Sequence, residues 1–147
     1  MVAKMTMSAE DLKQEGNALY KQGLYLKAAA TYTSAIKLDK ENGVLYSNRS
    51  AALLQLNKVT KAMADAEECI RLKPDWEKGY FRKGNAFETL AKTEEALEAY
   101  KIAAEKNPDS RDCSNKVKQL TKVVQRQRAK EEKLSKQNFS FDNNKKK

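Results

Sequence analysis

The chain has 147 residues, 40% hydrophobic and 33% charged, with only 5 Gly and 2 Pro. That balance is too apolar for a wholly disordered chain and too poor in turn residues for a many-stranded β-fold, which leaves a helical protein. Histidine is absent, removing the commonest general base, the imidazole metal ligand and every Ser-His or Cys-His nucleophile pair.

Neither a glycine-rich phosphate loop nor a paired-cysteine zinc spacing occurs, so a binding protein without cofactor or metal is expected, not an enzyme. No apolar run reaches the length of about 18 residues that a membrane span needs, and the start MVAKMTMSAEDLK has no apolar stretch resembling a signal peptide. Two cysteines, Cys69 and Cys113, cannot build a disulfide framework, and a reducing, cytoplasmic setting is expected. Of the formal net charge of +9, most lies at one end. From Arg111 onward 12 Lys/Arg face 4 Asp/Glu, whereas residues 1–110 carry 17 against 16. A nearly neutral body therefore precedes a basic C-terminal segment.

Residues 1–8 are expected to be a disordered N-terminus. Residues 9–42, 43–76 and 77–110 then align as three blocks of 34 without insertion. Position 8 of each block is small (Gly16, Ser50, Gly84), position 20 is alanine (Ala28, Ala62, Ala96), and position 27 is Ala35, Cys69 and Ala103. Positions 4 and 11 are large: Leu12, Tyr46 and Tyr80; Leu19, Leu53 and Phe87. Small residues let two helix axes approach while the large ones fill the space beside them, the signature of an antiparallel helix pair. Pro74 and Pro108 stand at position 32 of the later blocks and end their second helices. The pattern predicts helices over 9–22, 25–38, 43–56, 59–72, 77–90 and 93–106. Stacking is required, because one pair cannot bury its apolar side alone.

This period and pattern resemble the tetratricopeptide repeat family, across residues 9–110 and the helix that follows. The resemblance implies an all-α fold, a right-handed superhelix of three antiparallel helix pairs closed by a C-terminal capping helix. Departures from the family pattern are Lys40 in place of a proline, Glu15 and Arg49 at a usually apolar position 7, and Ala66 in place of an aromatic. Cys69 reads as a small core residue and Trp76 as packing between repeats.

The first helix of each pair lines the concave side of such a stack, and positions 2, 5, 6, 9 and 13 fall on or beside one of its faces. There the sequence sets Lys13 and Asn17 in the first block, Asn48 in the second, and Lys78 and Arg82 in the third. No carboxylate is expected on the same turns. Three cations and two amides on one groove suit carboxylates, through charge-assisted hydrogen bonds and neutral donors.

These five residues match the carboxylate clamp of tetratricopeptide co-chaperones, and the strings LKQEGNALYKQG, LYSNRSAALLQL and KPDWEKGYFRKGNA look like the first repeat domain of their chaperone-organising members. The resemblance implies a groove for the acidic C-terminal Glu-Glu-Val-Asp tails of heat shock protein 90 and heat shock protein 70. Lys13, Asn17, Asn48 and Lys78 would hold the terminal carboxylates and Arg82 one slightly upstream. Tyr20, Phe81 and Asn85 lie on nearby turns as candidate pocket-lining residues.

Asp109 or Ser110 can cap a further helix from about Arg111, in which Val117, Leu120 and Val124 recur at helical spacing and would cover the last repeat. A capping and solvating helix is expected over 111–135 and a basic disordered tail over 136–147. Two other partner classes remain open at this stage: an unrelated peptide in the groove, or nucleic acid or an anionic surface at the basic tail.

Overall fold

A computed structural model describes residues 6–145, where all regular structure is helical. Six helices form three pairs: α1 (Ala9–Lys21) with α2 (Tyr25–Leu38), α3 (Gly43–Gln55) with α4 (Val59–Leu72), and α5 (Glu77–Thr89) with α6 (Thr93–Lys106). Every expected boundary is met within one residue. Each pair packs internally, α2 packs on α3 and α4 on α5, and the first helices touch one another as α1 with α3 and α3 with α5. A seventh helix, α7 (Arg111–Lys145), packs along α6. Among the described residues no helix is long and apolar enough to cross a membrane.

Of the N-terminal segment expected to be disordered, residues 1–5 lie outside the described residues. Ser8 caps α1: its hydroxyl accepts from the Asp11 N–H at 3.0 Å, and the Asp11 carboxylate accepts from the Ser8 N–H at 3.1 Å. That reciprocal box satisfies two otherwise orphaned donors. Ser110 supports the start of α7 similarly, its hydroxyl accepting from the Cys113 N–H at 3.3 Å.

Position 8 and position 24 of each repeat are matched in size. A Cβ on Gly16 or Gly84 would lie 2.5 Å from Cε1 of Tyr32 or Tyr100, so the two rings occupy the space that the glycines vacate. In the middle repeat Ser50 stands where glycine would, the partner shrinks to Ala66, and the Ser50 hydroxyl donates to the Ala62 carbonyl at 2.8 Å. The missing aromatic is thus one half of a compensated exchange. Arg49, the departure at position 7, makes a bidentate pair with Asp65, 2.7 Å on both arms, and donates to Thr33 Oγ1 at 3.2 Å. This charge-paired stack joins α2, α3 and α4 with its charges mutually satisfied.

Cys69 and Cys113 are free and buried, and burial pushes the Cys69 thiol up to about 11. Trp76 is half-buried as the N-cap residue of α5, with the Lys73 ammonium 4.3 Å from its ring centre.

The C-terminal segment differs from expectation. Leu120 and Val124 bury against Ala96, Leu97 and Tyr100, with Val117 beside them. The helix then runs on through 136–145, where a disordered tail is expected; residues 146–147 lie outside the described residues. From Gln125 to Lys145 every residue is exposed.

Candidate peptide-binding groove

Two adjoining hollows open on the side lined by the first helices. One, of about 250 Å³, is lined by Gln14, Asn17, Tyr20, Lys21, Tyr32, Asn48, Ala51 and Arg82. The other, of about 450 Å³, shares Tyr20, Ala51 and Arg82 and extends to Asn85, Glu88 and Lys116. Ala51 stands at position 9, where the flanking repeats carry Asn17 and Asn85; its small side chain keeps the two hollows joined.

Of the five expected clamp residues, the structure brings Asn17, Asn48 and Arg82 around the smaller hollow. Asn17 Oδ1 accepts from the Tyr32 hydroxyl at 2.6 Å and from Asn48 Nδ2 at 3.1 Å. Its acceptor is thereby filled, and the Asn17 NH2 group is left for a guest, as is one N–H of Asn48. Arg82 is half-buried and donates long hydrogen bonds to Ser47 Oγ (3.3 Å) and Asn85 Oδ1 (3.5 Å). Among the described residues no carboxylate pairs with it. Burial accordingly pulls its guanidinium below the usual arginine value, an effect that an incoming anion would offset.

Lys13 and Lys78 line neither hollow. Lys78 is half-buried, its ammonium 5.8 Å from the Phe81 ring centre. Lys13 is paired with Glu10 at 3.0 Å, which corrects the expectation that no carboxylate shares its turn: Glu10 lies three residues earlier, within reach on the same helix face. The Gln14 side chain and then Lys13 hold the Glu10 carboxyl below its usual range. Tyr20 lines both hollows and Asn85 the larger one. Phe81 does not; its ring packs 5.3 Å from that of Tyr100 and joins the apolar cluster under α7.

Lys116 and Glu88 complete the larger hollow, neither of them among the expected site residues. Lys116 Nζ lies 2.8 Å from Glu88 Oε1, which also accepts from the Tyr100 hydroxyl at 2.6 Å, while Asn85 Nδ2 donates to that hydroxyl at 2.7 Å. The chain from α7 to α5 thus ends at the asparagine that receives Arg82. Among the described residues no group of three or more His, Cys, Asp or Glu could hold a metal ion.

Stacked helix pairs enclosing a groove lined by amide and guanidinium donors define a helical-repeat scaffold. The tetratricopeptide repeat descriptions match residues 13–75 and 77–110, and the chain belongs to the tetratricopeptide repeat family. Heat shock protein STI1 of Saccharomyces cerevisiae is 37% identical over 126 residues, 85% of this chain and 21% of that protein. The STIP1 homolog of Dictyostelium discoideum is 38% identical over 114 residues, 78% of this chain and 20% of its own length. The chain therefore spans about a fifth of these curated relatives. Among solved structures, the first tetratricopeptide domain of Spaghetti (RPAP3) bound to the HSP90 peptide SRMEEVD superposes with a TM-score of 0.73 at 32% identity, covering 80% of this chain and 93% of that one.

Proposed function

We propose that the groove binds the acidic C-terminal tail of heat shock protein 90 or heat shock protein 70, and that the chain works as a non-enzymatic co-chaperone adaptor in the cytosol. The observation that carries this reading is Arg82, a half-buried cation without a carboxylate partner among the described residues, set beside the donor amides of Asn17 and Asn48. A buried cation of this kind is costly until an anion reaches it. The likeness to a domain solved with SRMEEVD, and to the TPR2B domain of yeast Sti1 solved in its pHsp70 complex (27% identity, TM-score 0.73), supports the same ligand class. In this reading Asn17 and Asn48 grip the chain-end carboxylate, Lys13 and Lys78 swing in from the rim, and Arg82 takes a carboxylate slightly upstream. Glu10 must give up Lys13 for that contact, a small loss for an exposed pair.

Calorimetric titration with SRMEEVD as the free acid and as the C-terminal amide tests the proposal. The free acid binds and the amide is at least tenfold weaker. Arg82→Ala weakens the free acid roughly 10- to 150-fold, the equivalent of one charge-assisted hydrogen bond. Equal binding of acid and amide would overturn the clamp and leave a groove that reads peptides by another feature.

A further inference from the structure

The five exposed cations Lys118, Lys122, Arg126, Lys130 and Lys133 of α7 have no part in the groove, and they form a single row. The first four recur every fourth residue, and Lys133 follows one turn after Lys130. At 3.6 residues per turn they occupy a sector of about 120°, centred about 165° from the face that Cys113, Val117, Leu120 and Val124 turn to the body. The row runs about 22 Å along the helix. None of the five has an ion pair or side-chain hydrogen bond among the described residues, whereas neighbouring Lys116, Arg128 and Lys136 pair with Glu88, Glu94 and Glu132. Glu131 and Glu132 are the only carboxylates between Asp112 and Asp142, and they project about 160° and about 100° from the centre of the row.

We infer that this row is a binding surface for the phosphate backbone of duplex nucleic acid. Each alternative partner lacks a required feature. An interfacial membrane helix needs an apolar face beside its cations; the large apolar residues beyond Val124, Leu134, Phe139 and Phe141, all follow Lys133, so no exposed large apolar side chain flanks the row along its length. A protein interface needs an apolar, aromatic centre, and the row contains neither. Single strands are held by stacking on aromatic side chains, again absent from the row. A duplex backbone asks only for exposed cations at regular spacing on a stiff support. Helix α7 meets that need, since its solvent-exposed length from Arg126 to Lys145 extends about 30 Å. Such contacts carry no base specificity.

The test measures binding of a mixed-sequence 20-base-pair DNA duplex by anisotropy between 50 and 200 mM salt. Five phosphate contacts give a log–log salt slope of about −4.5, on the order of a 500-fold loss across that range. Replacing all five cations by Gln abolishes binding. A control replacing five exposed lysines of the body, Lys27, Lys37, Lys40, Lys58 and Lys92, removes the same charge and changes affinity less than threefold. Equal losses in the two variants would reduce the effect to net charge and overturn the proposal. So would a slope near −1, tighter binding to a 20-nucleotide single strand than to the duplex, or row-dependent binding to phosphatidylserine vesicles without duplex binding. The five-Gln variant binds SRMEEVD as the unaltered chain does, so the groove and the row fail or stand separately.

Discussion

Asn17 and Asn85 occupy the same position of their repeats and face the same tyrosine position, yet present opposite ends to the groove. Tyr100 gives its hydroxyl proton to Glu88, so Asn85 donates to Tyr100 and turns its oxygen toward Arg82. The first repeat has Tyr20 where the third has Glu88; without that acceptor, Tyr32 gives its proton to Asn17 and the Asn17 NH2 group is left outward. One residue per repeat, at position 12, therefore decides whether the asparagine offers a donor to a carboxylate or an acceptor to an arginine. Tyr32→Phe removes the hydroxyl that orients Asn17, and peptide affinity measured by calorimetry should fall about 2- to 10-fold, the equivalent of one neutral hydrogen bond. Burial also pushes the Tyr32 hydroxyl up to about 12. Its neutral form is favoured in the fold, so its contribution to stability is complete below the unfolded value near 10 and is lost as the pH rises from there through 12. Burial and the Glu88 hydrogen bond raise Tyr100 in the same direction. Melting temperatures between pH 9 and 12 should drop steeply for the unaltered chain and less steeply for Tyr32→Phe, which loses the Tyr32 share and keeps those of Tyr100, Tyr46 and Cys69.

Each helix pair turns through the same three-residue connection. Gly23, Asn57 and Ala91 all stand at position 15 with φ of 78°, 58° and 58°; their own N–H groups bond back to Tyr20, Leu54 and Glu88, and the N–H three residues past each helix end does so too, as Leu24 to Leu19, Lys58 to Leu53 and Lys92 to Phe87. This double closure needs a left-handed residue, natural for glycine, tolerated by asparagine and strained for alanine. Ala91→Gly should raise stability by about 0.5–1 kcal/mol in urea unfolding, the strain relieved less the added freedom of the unfolded chain. The repeated connection also explains why the six helices were readable from the sequence to within a residue: the small-large alternation sets where axes meet, and the connection is too short to slide. The end of α7 was not readable in that way. From Gln125 the apolar stripe stops, and with it the periodic signal. What carries the helix onward is the propensity of Ala, Lys, Glu, Gln and Leu in RAKEEKLSKQ, a weaker guide than packing.

Across the whole molecule the groove depends on how the stack is closed. Asn17, Asn48 and Arg82 could be located from repeat position alone, because the first helices share one face. Lys116 could not, because it reaches Glu88 only through the angle at which α7 lies along α6, which no local spacing encodes. Phe81 misleads for a related reason: its helical position borders the groove, but the ring is drawn against Tyr100 and the cluster that α7 covers. Helix α7 thus has two parts with different work, and truncation separates them. Among the described residues, a chain ending at Gln125 loses only exposed ones, with the surface contacts of Arg128 with Glu94 and of Lys136 with Glu132, pairs of little energetic weight. Its melting temperature and its affinity for SRMEEVD should match those of the longer chain. A chain ending at Asn115 also loses Leu120 and Val124, which are 4% exposed, and burying each of these is worth about 1.5–3 kcal/mol. It loses Lys116 as well, leaving the Glu88 carboxylate in the groove without its cation. Urea unfolding should show it less stable by about 3–6 kcal/mol. Where it remains folded, it should bind the acidic peptide more weakly, because the unpaired Glu88 then repels the segment upstream of the clamp.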